Sequence, residues 1–132
     1  MKFLVKNEIG QGLLEVVIAI MVMIIIATAL VSVVAKSIDN STFSRNKAKA
    51  SSLAQKSMEE ARDLRDQNQA EFFTEDYASS TCTATITSGM FTVVRTCFYD
   101  GEETVALEII ASWVDNKGNH ETKINTQLTN WR

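Results

Sequence analysis

The sequence predicts an α+β protein in which a long N-terminal helix packs on a small antiparallel β-sheet of about four strands. Three observations lead to this fold class. An apolar run from Gly12 to Ala35 contains one charged residue, apolar residues then recur at helical spacing to about Asn68, and beyond Tyr77 they alternate with polar residues. The chain has 132 residues, enough for one modest domain in addition to the apolar run.

The apolar run is long enough to cross a membrane. As a helix rising 1.5 Å per residue, it would span about 36 Å, against about 30 Å for the hydrocarbon core of a bilayer. We therefore expect a head at residues 1–10 and a transmembrane helix at residues 11–35. Both flanks carry lysine or arginine, so the positive-inside rule does not decide the orientation. The short basic head suits a cytoplasmic segment, with everything C-terminal to the run exported.

Residues 36–76 are predicted to form an amphipathic helix and a linker. A soft spot or bend is expected in KSIDNSTF, because this segment is rich in weak helix formers. From Phe43 to about Asn68 the spacing is helical again, and the helix should fade in the polar DQNQ stretch. The apolar face of this helix comprises Ala50, Ala54, Met58, Ala61 and Leu64.

Residues 77–132 are predicted to form an antiparallel meander. Four runs alternate in polarity, namely TCTATIT, MFTVVRTCFY, EETVALEIIASWV and HETKINTQLTNW. The breaks between them are Ser88-Gly89, Asp100-Gly101 and DNKGN, all with residues suited to tight turns. The amphipathic helix would cover one face, because so small a sheet needs an apolar layer to be stable. In the third run Val105, Leu107, Ile109, Ala111 and Trp113 share one face.

The two cysteines fit this register as a disulfide. If Gly89 and Met90 are the central residues of a two-residue turn, then Cys82 and Cys97 face each other, with six residues between each cysteine and the turn. Such a bridge would stabilise the fold by about 3 kcal/mol, because it lowers the conformational entropy of the unfolded chain. Export would favour the oxidised form. The alternative is a pair of free buried thiols.

The composition disfavours an enzyme. One histidine, no glycine-rich phosphate loop and no cysteine–histidine metal spacing predict no catalytic residues, no metal site and no cofactor. The net charge of −3, without a clustered basic face, also predicts no specific nucleic acid partner. His120 is expected to be a solvated side chain beside a turn. Trp113 and Trp131 are expected to be packing residues, with a partner contact as the alternative for Trp131.

The N-terminal region resembles the class III signal of type IV prepilins and type II secretion pseudopilins. The similarity rests on Gly10, on Glu15 five residues later, and on the apolar stretch LLEVVIAI around that acid. The resemblance implies that a prepilin peptidase cuts after Gly10 on the cytoplasmic side and that Gln11 becomes an N-methylated first residue. The family prefers an aromatic residue and then threonine after the cut, where this chain has Gln11 and Gly12.

Two further segments are similar to minor pilins and minor pseudopilins. ASSLAQKSMEEARDLRD resembles the part of those proteins that follows the anchor, and the closing ASWVD, turn and LTNW resemble their last hairpin. These similarities favour a minor subunit over a major one.

The resemblance implies a structural subunit of a type IV pilus-like filament. Its partners would be the prepilin peptidase, other pilin or pseudopilin subunits, an inner-membrane assembly platform and, before assembly, the lipid bilayer. The subunit would begin as a single-pass inner-membrane protein with an exported C-terminal domain and end in an extracellular filament. There Glu15 would face the new amine of a neighbour and set the register, because a wrong register would leave both charges unpaired in an apolar bundle.

Three alternatives remain open from the sequence. A pseudopilin of a type II secretion system would share the same processing chemistry. A secreted binding domain would follow from a conventional signal cut before Lys36, although the apolar run exceeds the usual length of about 7–15 residues. A single-pass anchored domain that never polymerises would keep its whole N-terminal segment.

Overall fold

The computed structural model describes residues 8–101 and 103–130, and their side chains from Gly12 onward. It confirms the predicted α+β fold, with a long helix α1 and a four-stranded antiparallel sheet. The elements are α1 (Glu8–Gln67), α2 (Gln69–Phe72), α3 (Glu75–Tyr77), a π-helical turn (Ala78–Cys82), β1 (Ala84–Ser88), β2 (Phe91–Tyr99), β3 (Thr104–Asp115) and β4 (Gly118–Thr129). The chain divides into two compact units between Thr42 and Phe43.

Helix α1 includes the segment where the sequence predicts a soft spot or bend. Residues 36–43 are helical throughout, so the weak helix formers of this segment do not end the helix. Weak helix formers cost only a few tenths of a kcal/mol each relative to better ones. Extending a helix that is already nucleated on both sides costs less than ending one helix and starting another. The end of α1 at Gln67 agrees with the predicted fading in DQNQ.

The sheet is the predicted meander, with strand order β1-β2-β3-β4. The first turn consists of Gly89 and Met90, and Ser88 pairs with Phe91 beside it. Gly89 has a φ of +63°, which explains why a glycine stands at the first position of the turn. The third turn, at Asn116 and Lys117, closes β3 on β4.

The second unit buries one face of the sheet under the C-terminal part of α1. Small helix residues meet large sheet residues: Ala50 and Ala54 pack in a cluster with Ile109 and Trp113. A second cluster joins Ala61 of α1 to residues of the linker and the sheet. Its buried members are Ala61, Phe72, Ala78, Cys82, Cys97, Val105, Leu107 and Leu128.

The predicted apolar faces are largely correct. The five residues of the third run that were expected to share a face are all buried. On the helix, Ala50, Ala54 and Ala61 are fully buried, while Met58 and Leu64 are partly buried and pack against the two clusters. The first strand is shorter than predicted, because Cys82 lies in the π-helical turn and β1 begins only at Ala84.

Candidate functional site

The apolar half of α1 is the most exposed apolar surface of the described chain. Its large side chains from Leu13 to Ile38 are 44–70% exposed. This part of the helix is long and apolar enough to span a membrane, by length and composition. Exposed apolar surface of this extent marks a site for lipid or for other protein chains.

Two hydroxyl side chains within this half of α1, those of Thr28 and Ser32, are satisfied by the helix itself. The Thr28 hydroxyl donates to the carbonyls of Ile24 and Ile25, at 3.1 and 3.0 Å. Ser32 donates to the carbonyl of Thr28 at 3.0 Å. Such back-bonding removes the cost of placing a hydroxyl in an apolar medium. The two hydroxyls therefore need no hydrogen-bond partner from outside the helix.

Glu15 is different. Its side chain is exposed among apolar neighbours, and within the described residues it has neither a hydrogen-bond nor an ion-pair partner. A carboxylate near the bilayer centre costs about 2.5–3.5 kcal/mol on insertion scales and less toward the interface. An unpartnered carboxylate on an apolar helix is a candidate for pairing with a cation supplied by another chain.

The predicted processing site lies at the start of the described chain. Gly10 and Gln11 are helical, in the first turns of α1. The side chain of Gln11 and most of the predicted head, residues 1–7, fall outside the described residues. One helix thus carries Gly10, Gln11 and Glu15, with Glu15 a little more than one turn beyond Gln11.

The predicted disulfide is present. Cys82 and Cys97 are bonded, with their Cα atoms 5.9 Å apart, and both cysteines are buried. The register expected from the Gly89-Met90 turn is also present, since Ala84 pairs with Arg95 two residues inside the bridge. The bridge ties the π-helical turn, rather than the predicted strand, to β2.

Sequence reasoning missed Arg95, which lies on the inward face of β2 and is only 4% exposed. Its Nε donates to the carbonyl of Cys82 at 2.7 Å, and one terminal nitrogen donates to the carbonyl of Ser57 at 2.7 Å. Glu60 lies 3.6 Å away. Burial lowers the pKa of Arg95, and the charge and hydrogen bond of Glu60 oppose that shift. The alternation of Phe91, Val93, Arg95 and Cys97 could have revealed an arginine at an inward position.

His120 is partly buried rather than solvated as predicted. Its ring lies 5.1 Å from Phe43 and 5.4 Å from Trp113, measured between centroids. Nε2 is 2.9 Å from a carboxylate oxygen of Asp115. The backbone amide of Lys117 donates to the same carboxylate, and this bond is the main cause of a lowered pKa for Asp115, with His120 contributing in the same direction. These contacts explain a structural role for His120 at the β3–β4 turn.

Within residues 12–101 and 103–130, no three histidine, cysteine or acidic residues are grouped so as to hold a metal ion. Trp131 lies outside the described residues.

Comparison with models of protein families, with curated proteins and with solved structures found no match.

Proposed function

We propose that this protein is a structural subunit of a type IV pilus-like filament, of the minor class. In this proposal the chain is cut after Gly10, Gln11 becomes the N-methylated first residue, and α1 carries the subunit from the membrane into the filament core. A type II secretion pseudopilin would use the same chemistry, and the proposal covers the shared mechanism.

The observation that carries the proposal is Glu15 on an exposed apolar helix without a partner in the described chain. Cleavage after Gly10 creates a cationic amine at Gln11, and an adjacent copy presents its own Glu15. Pairing of the two charges inside a helical bundle would satisfy both of them. A copy at the wrong axial height would leave two charges unpaired at low dielectric, which costs several kcal/mol.

The exposed aliphatic side chains supply the contact area around this pair. They extend over the part of α1 from Leu13 to Ile38 and are uniform in character, so they specify little by themselves. We therefore assign the register to Glu15 and the bulk of the attraction to the aliphatic surface. The exported second unit is held by its own core and disulfide, as expected of a domain outside the reducing cytoplasm.

The direct test is mass spectrometry of the N-terminus of the chain recovered from membranes and from filaments. A methylated Gln11 start supports the proposal. A Lys36 start would identify a secreted domain, and a start before Gly10 would identify a plain anchor; either result refutes the proposal.

A substitution provides the matched control. Gly10→Trp is expected to leave full-length precursor in the inner membrane, because the peptidase must close on a residue without a side chain at this position. Gly12→Ala changes a nearby glycine that has open space around it, and its processing should be normal. Normal maturation of Gly10→Trp would contradict the assigned cleavage site.

A further inference from the structure

The sheet has two edge strands, β1 and β4. β1 is an edge strand of five residues, ATITS, without charge or proline, and β4 is an edge strand of 12 residues. Natural proteins usually protect exposed edges with lysine, proline or bulges, because unpaired backbone groups recruit other strands. β1 has neither lysine nor proline, so its edge is open to a further strand.

Helix α1 does not cover the inner side of β1. A groove of about 230 Å³ lies between them, bordered by Lys56 and Glu60 on the helix and by Ile86 on the strand. Ile86 points to the inner face, since it pairs with the buried Val93, yet it remains 37% exposed. Apolar surface is therefore left beside an unpaired backbone edge.

The backbone groups that face outward can be assigned from the hydrogen bonds. In a two-residue hairpin the closing pair, Ser88 and Phe91, is hydrogen-bonded, and bonded pairs then alternate along the strands. Thr85 and Thr87 consequently direct their N–H and C=O groups away from β2. The amide of Cys97 donates toward the β1 side, to the hydroxyl of Thr83, which agrees with this alternation.

The same assignment holds at the other edge. The amide of Asn130 donates to the carbonyl of Glu103 on the β3 side at 2.9 Å. Even-numbered residues of β4 therefore bond to β3, and odd-numbered residues, including Lys123 and Asn125, direct their backbone groups outward. These residues lie on the outer face of the sheet, as do Thr85 and Thr87. Joining the two edges would thus continue one sheet with its faces preserved.

We propose that β4 of one copy pairs with β1 of the next copy, in an antiparallel, head-to-tail contact. A meander of four strands has edges that run in opposite directions, so copies with the same orientation meet edge to edge as antiparallel strands. The register places Ile86 opposite Ile124, because Ile124 is partly buried whereas Leu128 is only 4% exposed and has little surface left to bury. Thr87 then bonds to Lys123, and Thr85 bonds to Asn125.

Charge is compatible with this register. β1 contributes no charged side chain, so neither Glu121 nor Lys123 of the incoming strand meets a like charge on β1. On its own sheet, Lys123 is already paired with Glu108. The Ile86–Ile124 pair adds an apolar cross-strand contact, and β-branched pairs of this kind stabilise sheets.

The orientation of the anchors excludes the symmetric alternatives. A two-fold pairing of β1 with β1, or of β4 with β4, would have its axis perpendicular to the sheet. The helices of the two copies would then lie on the same face of the joined sheet but run in opposite directions. The Phe43 ends of the two copies would then point in opposite directions. This step rests on the proposed function, in which all copies are anchored in one membrane through the residues before Phe43.

The short edge also fits anchored copies better than free ones. Five residues provide few hydrogen bonds, so soluble copies would associate weakly. Copies confined to one membrane or one filament have a high effective concentration, which raises the occupancy of a weak contact.

The test uses the full-length chain in membranes, with a short bismaleimide cross-linker. A chain carrying both Thr85→Cys and Asn125→Cys should give a ladder of dimers, trimers and higher species, since hydrogen-bonded partners lie about 5.5 Å apart between Cα atoms. Two singly substituted chains, expressed together, should give one heterodimer and no ladder. The pair Phe98→Cys and Asn125→Cys is the control, because Phe98 is 54% exposed on β2, away from both edges.

A proline substitution on β1 distinguishes strand pairing through backbone hydrogen bonds from cross-linking of copies that are merely close together. Thr87→Pro removes an outward N–H that no strand of the same chain uses, so it should keep the Cys82–Cys97 disulfide but reduce the ladder at least fivefold. Thr87→Val, with its N–H intact, should leave the ladder unchanged. If the Thr87→Pro variant loses the disulfide, the same comparison is made with Asn125→Pro, which removes an outward N–H on β4. The cross-linking pair is then Thr85→Cys and Lys123→Cys.

Each other outcome overturns the proposal. Dimers from Thr85→Cys alone or Asn125→Cys alone would indicate a two-fold contact. A control ladder equal to the test ladder would indicate random collision, and no ladder at all would exclude the contact. Repeating the experiment in the Gly10→Trp background separates it from the proposed function, because edge pairing requires anchoring but not cleavage.

Discussion

A terminal nitrogen of Arg95 donates a hydrogen bond of 2.7 Å to the backbone carbonyl of Ser57, ten residues before the end of α1. The same guanidinium holds the carbonyl of Cys82, so one side chain on β2 fastens both α1 and the π-helical turn. Arg95 thus connects the helix layer and the disulfide to the sheet.

Replacing Arg95 with alanine should destabilise the second unit by about 2–4 kcal/mol, because the buried carbonyls of Ser57 and Cys82 each lose a charged donor. Thermal unfolding of the full chain in detergent, followed by tryptophan fluorescence, measures the loss. Arg62→Ala is the control; Arg62 pairs with Glu59 in solvent, so the change should be below about 1 kcal/mol. Equal effects of the two substitutions would refute the fastening role.

Removing the disulfide should cost about 3 kcal/mol, since the bridge closes a loop of moderate length in the unfolded chain. The double variant Cys82→Ala and Cys97→Ala tests this without leaving a reactive thiol. The measurement is the shift in unfolding midpoint relative to the oxidised protein. Because both cysteines are buried, the oxidised protein should also resist mild reductant until it unfolds. Rapid reduction of the folded chain would contradict the observed burial.

The β3–β4 turn should weaken only in strong acid. The bond from the Lys117 amide, followed by the bond and charge of His120, lowers the pKa of Asp115 below its ordinary value of 3.8. A carboxylate with a lowered folded-state pKa stabilises the fold above its unfolded pKa and loses that contribution as the pH falls through the folded value. The wild type should therefore be more stable than Asp115→Ala near neutrality, and the difference should shrink below about pH 3.8. Unfolding midpoints from pH 7 to pH 2 measure this. A pH-independent difference would show that the carboxylate charge does not matter.

Glu15→Leu should insert into the membrane normally but enter filaments at least tenfold less than the wild type. Insertion becomes easier without the charge, whereas assembly loses its register. Membrane fractionation and quantification of the subunit in sheared filaments measure the two steps. Val22→Leu is the control, because it changes an exposed aliphatic residue of the same helix and leaves the charge in place. Unaltered incorporation of Glu15→Leu would remove the register argument.

The strands were predictable because each had its own local signal. Alternation in VALEIIASWV placed Trp113 and Ile109 on the buried face, and Gly89 marked the turn that aligned Cys82 with Cys97. Side-chain period and turn chemistry are properties of a few consecutive residues, so the sequence alone reveals them.

The features that escaped prediction depend on other parts of the chain. The helix through residues 36–43 is decided by helical neighbours on both sides rather than by its own propensities. The burial of Arg95 depends on carbonyls 38 and 13 positions away, at Ser57 and Cys82. His120 was expected in solvent because it neighbours a turn, but Phe43 and Trp113 flank its ring. Glu15 is the reverse case, since the sequence alone made it conspicuous.

The buried residues between α1 and the sheet differ in size. The helix contributes four small buried residues, Ala50, Ala54, Ser57 and Ala61, and the sheet contributes large aromatic and branched side chains. The strand positions should therefore tolerate substitution better than the helix positions. On the strands an aliphatic residue can be exchanged for another of similar volume, whereas on the helix almost any enlargement pushes two layers apart. A randomised library of this domain would recover many strand sequences and very few along those four helix positions.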